Sequence, residues 1–388
     1  MPRATVDITP AGQRPDEDPS LAVRNNGGAE PSTAPAPAGR REALLLLSFG
    51  GPEGHDDVMP FLENVTRGRG VPRERLEEVA EHYHHFGGVS PINEQNEALL
   101  AALEEELGAA GMDLPVYWGN RNWAPYVEDV WRQMAEDGIE HAYVLSTSAY
   151  ASFSGCRQYH EDVARARIAL SGDPSAPAGP TAEKLPHYYD RPGFVRANAE
   201  ALAGALATLP QELRDTARLV ATAHSIPEAM AAVAGPEGHA YEAELTAAAR
   251  AVVDEVAPGR PVDLVWQSRS GPPSVPWLEP DVNDHLRALA AGGERAVVLF
   301  PIGFVSDHLE VIWDLDNEAR ETAEELGLAF ARAGTAGTHP AFVRALVELL
   351  AERRAGGPPR LGTNCPASCC HVPGRPTGLH RGQEPSPR

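Results

Sequence analysis

The apolar positions of this chain fall into two alternating patterns. Residues 43–49 read Ala-Leu-Leu-Leu-Leu-Ser-Phe and stop at Gly50-Gly51-Pro52, a continuous apolar run that suits a strand buried on both faces and then released into a loop. Runs of the same kind recur at 116–119, 141–146, 218–223, 262–267 and 295–301. Between them the period changes to that of a helix: residues 93–108 place Leu99, Leu100, Leu103 and Leu107 on one face, and 124–137 repeats the pattern. Near the C-terminus, Thr338-His339-Pro340 opens a last amphipathic helix carrying Phe342, Leu346, Leu349 and Leu350. Strands that alternate with helices predict parallel sheets covered on both faces, a doubly wound α/β architecture whose ligands sit at the carboxyl ends of the strands.

The same pattern divides the chain. Residues 1–41 are rich in Pro, Ala, Gly and acids without an apolar period, and are expected to form a disordered tail. A first α/β domain is expected over 42–148, completed by the helix at 338–355, and a second over 149–337. A Pro/Ala/Gly-rich surface loop is expected at 171–180, and residues 356–388 form a C-terminal extension. No sequence repeat is visible. A length of 388 residues with 42% hydrophobic content is enough for two real cores. The 33 basic and 55 acidic residues leave a formal charge of −22, which argues against nucleic acid or an anionic membrane as partner. There is no apolar run of about 18 residues and no basic-then-apolar leader, so the reading is a cytoplasmic monomer without a membrane span. Lys184 is the single lysine; together with abundant Ala, Gly and Pro this looks like the codon bias of a GC-rich genome.

Candidate chemistry lies in two loops that follow apolar strands. In Ala221-Thr222-Ala223-His224-Ser225-Ile226-Pro227 a histidine arrives at a strand end, and Pro227 suits the first turn of a helix. In the second loop, Pro301 to Asp314, a strand again runs into a helix. There Glu310, Asp314 and Glu318 fall at i, i+4 and i+8 on one side. Like charges at that spacing repel, so the row either passes a cation or protons along a face, or is a solvated acidic surface. Between the loops, Trp266 and Trp277 stand in a Pro-rich turn, where they either pack on the domain beneath or wall a flat apolar ligand. No P-loop, no GxGxxG after a strand and no HExxH helix occurs. Four cysteines are too few for a disulfide scaffold. Cys156 stands alone and Cys365, Cys369 and Cys370 lie within six residues, as free thiols or as four thiolates for one metal centre.

Five segments carry a resemblance: Ser48-Phe49-Gly50-Gly51-Pro52, Phe86-Gly87-Gly88-Val89-Ser90-Pro91-Ile92, Ala223-His224-Ser225-Ile226-Pro227, Gln267-Ser268-Arg269-Ser270-Gly271-Pro272 and Pro301-Ile302-Gly303-Phe304-Val305-Ser306-Asp307-His308-Leu309-Glu310. In this order, over residues 42–355, they resemble the ferrochelatases, enzymes that insert ferrous iron into a porphyrin. The resemblance implies two Rossmann-like, chelatase-type domains, each a parallel four-stranded sheet flanked by helices, with the porphyrin in the cleft between them. It implies His224 and Glu310 as catalytic residues facing each other across the ring, and His224, Glu310, Asp314 and Glu318 as the groups that meet the iron. It places Phe49, Arg67, Arg69, Ser90, Arg121 and Trp266 against the porphyrin. The cysteines resemble those of members with a 2Fe-2S cluster, with Cys156 as the internal ligand and Cys365, Cys369 and Cys370 from the extension. Two departures stand out: Phe49 where some bacterial members have a tyrosine near the metal, and Arg121-Asn122 where some carry a Lys-His pair. Both shift weight onto His224 and Glu310. Inserting a metal requires two pyrrole protons to leave and the nitrogen lone pairs to turn out of plane, which a base and an incoming metal on opposed sides assist. The implied substrate is coproporphyrin III, giving coproheme. The alternatives are protoporphyrin IX, a cobalt or nickel chelatase acting on sirohydrochlorin-like rings, and a non-catalytic tetrapyrrole or metal carrier.

Overall fold

The computed structural model describes residues 39–370 apart from 69, 174, 175, 177, 272, 273, 359, 361, 364 and 366–368. The expected tail up to residue 38, Arg69, and the extension beyond Cys370 lie outside the described residues.

Among the described residues, eight strands form two parallel four-stranded sheets. The first holds β1 (Glu42–Ser48), β2 (Val116–Asn120), β3 (His141–Ser146) and β4 (Thr181–Lys184) in the order β2-β1-β3-β4. The second holds β5 (Arg218–His224), β6 (Val262–Gln267), β7 (Ala296–Phe300) and β8 (Ala329–Arg332) in the order β6-β5-β7-β8. The succession is the same in both, so the halves repeat in topology although not in sequence. β1 is buried along its whole length because strands flank it on both edges and helices cover both faces, hence its unbroken leucines. The edge strands β4 and β8 have four residues each and carry charges, Thr-Ala-Glu-Lys and Ala-Phe-Ala-Arg, so no apolar run announces them. Because β4 pairs with β3, the domain boundary expected at 148 falls inside the first sheet, and the chain leaves that sheet only after Lys184.

Strand alternation distributes the core. In β1, Leu44 and Leu46 join a large cluster shared by both sheets, while Leu45 and Leu47 face the opposite side against Val127, Trp131 and Met134. Between the sheets lie helices Ile92–Ala109, Pro192–Thr208, Ala240–Val256 and Pro340–Arg354. The last of these packs on both Ile92–Ala109 and Pro192–Thr208, so it joins the two halves as well as completing the first. His339 caps it, with the Ala341 N–H donating to Nδ1, and Arg353 and Arg354 in its last turn pair with Glu183 and Glu42. Among the described residues no helix is long and apolar enough to cross a membrane.

Candidate active site

The second sheet aims the chemistry. In β5, Val220 belongs to the core on the outer face of the sheet, so Thr222 and His224 point the same way, whereas Ala221 and Ala223 face the shared core. In β6, Val265 and Gln267 take that outer face, and His224 is paired in register with Gln267. The element packed on this face is the segment after β7, with Val311, Leu315, Ala319 and Ala323 in the same cluster. Strand period and register therefore bring a histidine and a glutamine to the side of the sheet where the acidic row lies. The loop from β7 reaches them because Gly303 has no side chain: a Cβ there would stand 2.5 Å from that of Ala223.

His224 is half-buried and its Nδ1 faces the Ser225 carbonyl oxygen. A carbonyl only accepts, so Nδ1 carries a proton, and in the neutral ring the lone pair for a base or metal ligand is on Nε2. Tyr241 donates to the His224 carbonyl at 2.9 Å, and the Ser225 N–H donates to the Gln267 carbonyl at 2.8 Å, fixing the loop.

The acidic row does not ride on a uniform α-helix. A single α-turn, Leu309–Val311, leads into a π-helical segment, Ile312–Glu318, and only then into the α-helix Ala319–Glu325. Such wide turns recur at functional sites. The row survives: the charges of Glu310 and Glu318 both act on Asp314. Asp314 is pushed up to about 7, first by burial, with both neighbouring carboxylates adding to the rise and hydrogen bonds from Ser268 and Gln267 opposing it. Glu310 and Glu318 stay exposed. Ser268 presents its hydroxyl to Asp314 from a left-handed backbone, φ 61°, a conformation that costs a serine on the order of 1 kcal/mol and marks a constrained site. Gln267 Nε2 donates to the same carboxylate at 3.2 Å.

Sequence reasoning missed several participants. His308 sits where the charges of both Glu310 and His224 act on it, and burial is the main cause that lowers its affinity for a proton. It was visible in the segment around Glu310, without a signal for its role. Tyr83, from helix Arg73–His85 of the first half, lies in the field of Glu310; burial first, then that charge, keeps it a phenol. The neighbouring Asp307 is committed elsewhere, pairing with Arg332 at 2.7 Å and exchanging two hydrogen bonds with Gln95 across the halves. Trp313 stacks on His82 at 3.9 Å and donates to Glu318 at 2.9 Å, so the outer end of the row meets the first half. Phe49, Phe86 and Val89 are among the few large apolar side chains left exposed, and they follow β1 or precede helix Ile92–Ala109.

The porphyrin contacts expected from sequence divide. Phe49 is exposed, as a ring wall requires. Arg67 is exposed at the end of helix His55–Thr66. Ser90 is buried against the Gly50-Gly51 turn, where a Cβ on Gly51 would stand 2.6 Å from its own. Arg121 is not an open cation: it is buried in an ion pair with Asp162 and lies 4.8 Å above the Tyr159 ring and 5.9 Å from that of Phe49. Trp266 is buried: at 5% exposure it stacks on Tyr241 in the shared core, because strand alternation turns it away from the face of Gln267. Arg69 lies outside the described residues.

The cysteines converge. Cys365 shares hydrogen bonds with Cys156 and Cys369, and Cys369 Sγ lies 3.8 Å from Cys370 Sγ. A tetrahedral metal with thiolate bonds of about 2.3 Å spaces two sulfurs by about 3.8 Å, so adjacent Cys369 and Cys370 fit one metal edge. The extension is tied down by Cys370 N–H to the Val233 carbonyl, Gly235 N–H to Cys370 Sγ, and Arg157 to the Cys369 carbonyl. Among the described residues no three His, Cys, Asp or Glu side chains surround a single-ion position.

The family model described as Ferrochelatase matches residues 41–354. A protein of Nocardia farcinica named coproporphyrin III ferrochelatase is 57% identical over 361 residues, covering 88% of this chain and 99% of the relative. Relatives of the same name from Mycolicibacterium smegmatis and Streptomyces griseus are 58% and 52% identical, covering 82% and 85% of this chain and 92% and 93% of their own lengths. The chain belongs to the ferrochelatase family, enzymes that insert iron into a porphyrin.

Proposed function

We propose that this chain inserts ferrous iron into coproporphyrin III to give coproheme. The observation that supports the reading is that His224 pairs in register with Gln267, whose side chain donates to Asp314 of the Glu310-Asp314-Glu318 row, while the charges of His224 and Glu310 both act on His308. The choice of porphyrin is supported by the relatives that bear that substrate in their names. In this reading Nε2 of His224 accepts the two departing pyrrole protons one at a time and releases each to solvent before the next. Ferrous iron passes along the row from exposed Glu318 through Asp314 to exposed Glu310, displacing the proton that Asp314 holds near neutral pH. Phe49, Phe86 and Val89 supply the apolar wall for the ring, and Arg67 is placed for a carboxylate arm. Cys156, Cys365, Cys369 and Cys370 hold a 2Fe-2S cluster, which supplies one-electron redox chemistry when bound.

The test is anaerobic ferrous iron offered with coproporphyrin III, protoporphyrin IX or sirohydrochlorin, followed by loss of the free-base spectrum. Coproporphyrin III is expected to give at least tenfold higher kcat/KM than protoporphyrin IX, and sirohydrochlorin no turnover. Preference for protoporphyrin IX would reassign the substrate, and ring binding without metallation would make the chain a carrier.

A further inference from the structure

Trp313 and Glu318 stand five residues apart, and the indole Nε1 donates to Glu318 Oε1 at 2.9 Å. On an α-helix two side chains at that spacing point about 140° apart around the axis. The segment that holds them, Ile312–Glu318, is π-helical, and its i→i+5 hydrogen bonds bring residues five apart nearly over one another. The wide turn thus gives the last carboxylate of the row a donor that a regular helix would turn away from it.

The donor is itself held by the other half. Leu309, four residues before Trp313 and on the same side, packs among Val58, Phe61, Leu62, Leu76 and Tyr83 of helices His55–Thr66 and Arg73–His85. Trp313 continues that contact. Its ring stacks on His82 with centroids 3.9 Å apart and planes within 10°, and His85 and Phe86 meet it edge-on at 5.7 and 6.2 Å. The charge of Glu318 acts on His82 as well, so carboxylate, indole and imidazole form one contiguous group. An exposed glutamate otherwise spreads over several rotamers, and ionised Asp314 repels it. The indole bond, with the indole fixed by three aromatic neighbours, opposes both effects.

We propose that Trp313 is a positioning residue for iron entry: its N–H holds Glu318 in the row, and the His82 stack from the first half holds the indole. The inference rests on the iron route proposed above and adds that the first half sets the geometry of the route's first ligand. The indole takes one Glu318 oxygen and leaves the second for the cation.

The experiment measures anaerobic metallation by the full chain, varying ferrous iron and coproporphyrin III separately, for wild type, Trp313→Phe, His82→Ala, Glu318→Gln and the Trp313→Phe/Glu318→Gln double variant. Trp313→Phe keeps a ring for His82 and loses the N–H, so KM for iron is expected to rise about fivefold while kcat, KM for the porphyrin and Tm stay near wild type. His82→Ala keeps the N–H and loosens the indole, for a rise of about twofold, and it carries the test should the phenylalanine chain not fold. Glu318→Gln raises the iron KM at least as far as Trp313→Phe, and the double variant goes no further than Glu318→Gln alone, because the indole acts through that carboxylate. A raised iron KM in Glu318→Gln beside wild-type values in Trp313→Phe or in His82→Ala, or additive effects in the double variant, overturns the positioning role. A wild-type iron KM in Glu318→Gln overturns the route itself, and the proposal with it.

Discussion

His224→Ala is expected to lower kcat for iron insertion by about 10²–10⁴-fold, the range for loss of a positioned base, while porphyrin affinity changes little. The side chain stands at the end of β5, half-buried, and its Nδ1 bond goes to the adjacent Ser225 carbonyl. Removing it leaves the strand ladder, the Tyr241 bond to the backbone carbonyl and the Ser225–Gln267 bond in place. The stability cost is therefore about 1 kcal/mol. What is lost is the Nε2 lone pair, and Phe49 and Asn122 have no comparable base to offer. Metallation kinetics, with fluorescence quenching for ring binding and circular dichroism for fold, separate these effects. Near-wild-type turnover would remove His224 from the chemistry.

Glu310→Gln is expected to be inactive and, above neutral pH, more stable than wild type. Glu310 begins the row and its charge acts on both His308 and Asp314, so in the proposed reading its loss interrupts the path for a cation. Its charge also helps hold Asp314 at about 7, after burial as the larger cause. The sign follows from proton linkage: a carboxyl with an ordinary unfolded value near 3.9 and a folded value near 7 keeps a proton in the native state that the unfolded chain has lost. Native stability therefore falls as pH rises from about 4 to 7 and stays lowered above 7, by at most about 4 kcal/mol before solvent screening reduces it. Glu310→Gln brings the Asp314 value down and shrinks that loss. Urea unfolding at pH 5 and pH 8 should show a gain for the variant at pH 8 that fades at pH 5. Equal stability at both, or retained turnover, would contradict the coupling. A site that lowers stability to hold charges together is a known compromise between activity and robustness.

The two sheets were legible because six of the eight described strands contain apolar runs, and four of them, β1, β3, β5 and β7, are interior to their sheets, as the Leu44–Leu47 run shows. β4 and β8 were not, since a four-residue edge strand carrying Glu and Lys, or Arg, shows no apolar run. The helices His55–Thr66 and Arg73–His85 escaped too: their histidines and acids mask the short apolar faces that pack on Leu309. His224 and the acid row were readable because strand end and helical spacing are linear properties. Gln267 and Ser268 were quoted without a role, because a left-handed serine and a cross-strand register exist only after folding. The partners of Arg121 and Trp266 were hidden for a related reason. Sequence shows a cation and an aromatic ring, but not the Asp162 carboxylate or the Tyr241 ring that claims each of them.

The central claim is that His224 and Glu310 address one macrocycle from opposite faces. A crystal structure of the chain with coproporphyrin III bound tests this most directly. The account predicts the ring plane between His224 Nε2 and the Glu310 carboxylate, with Phe49 against its edge or face. A ring bound elsewhere, or one with both side chains on the same face, would contradict it.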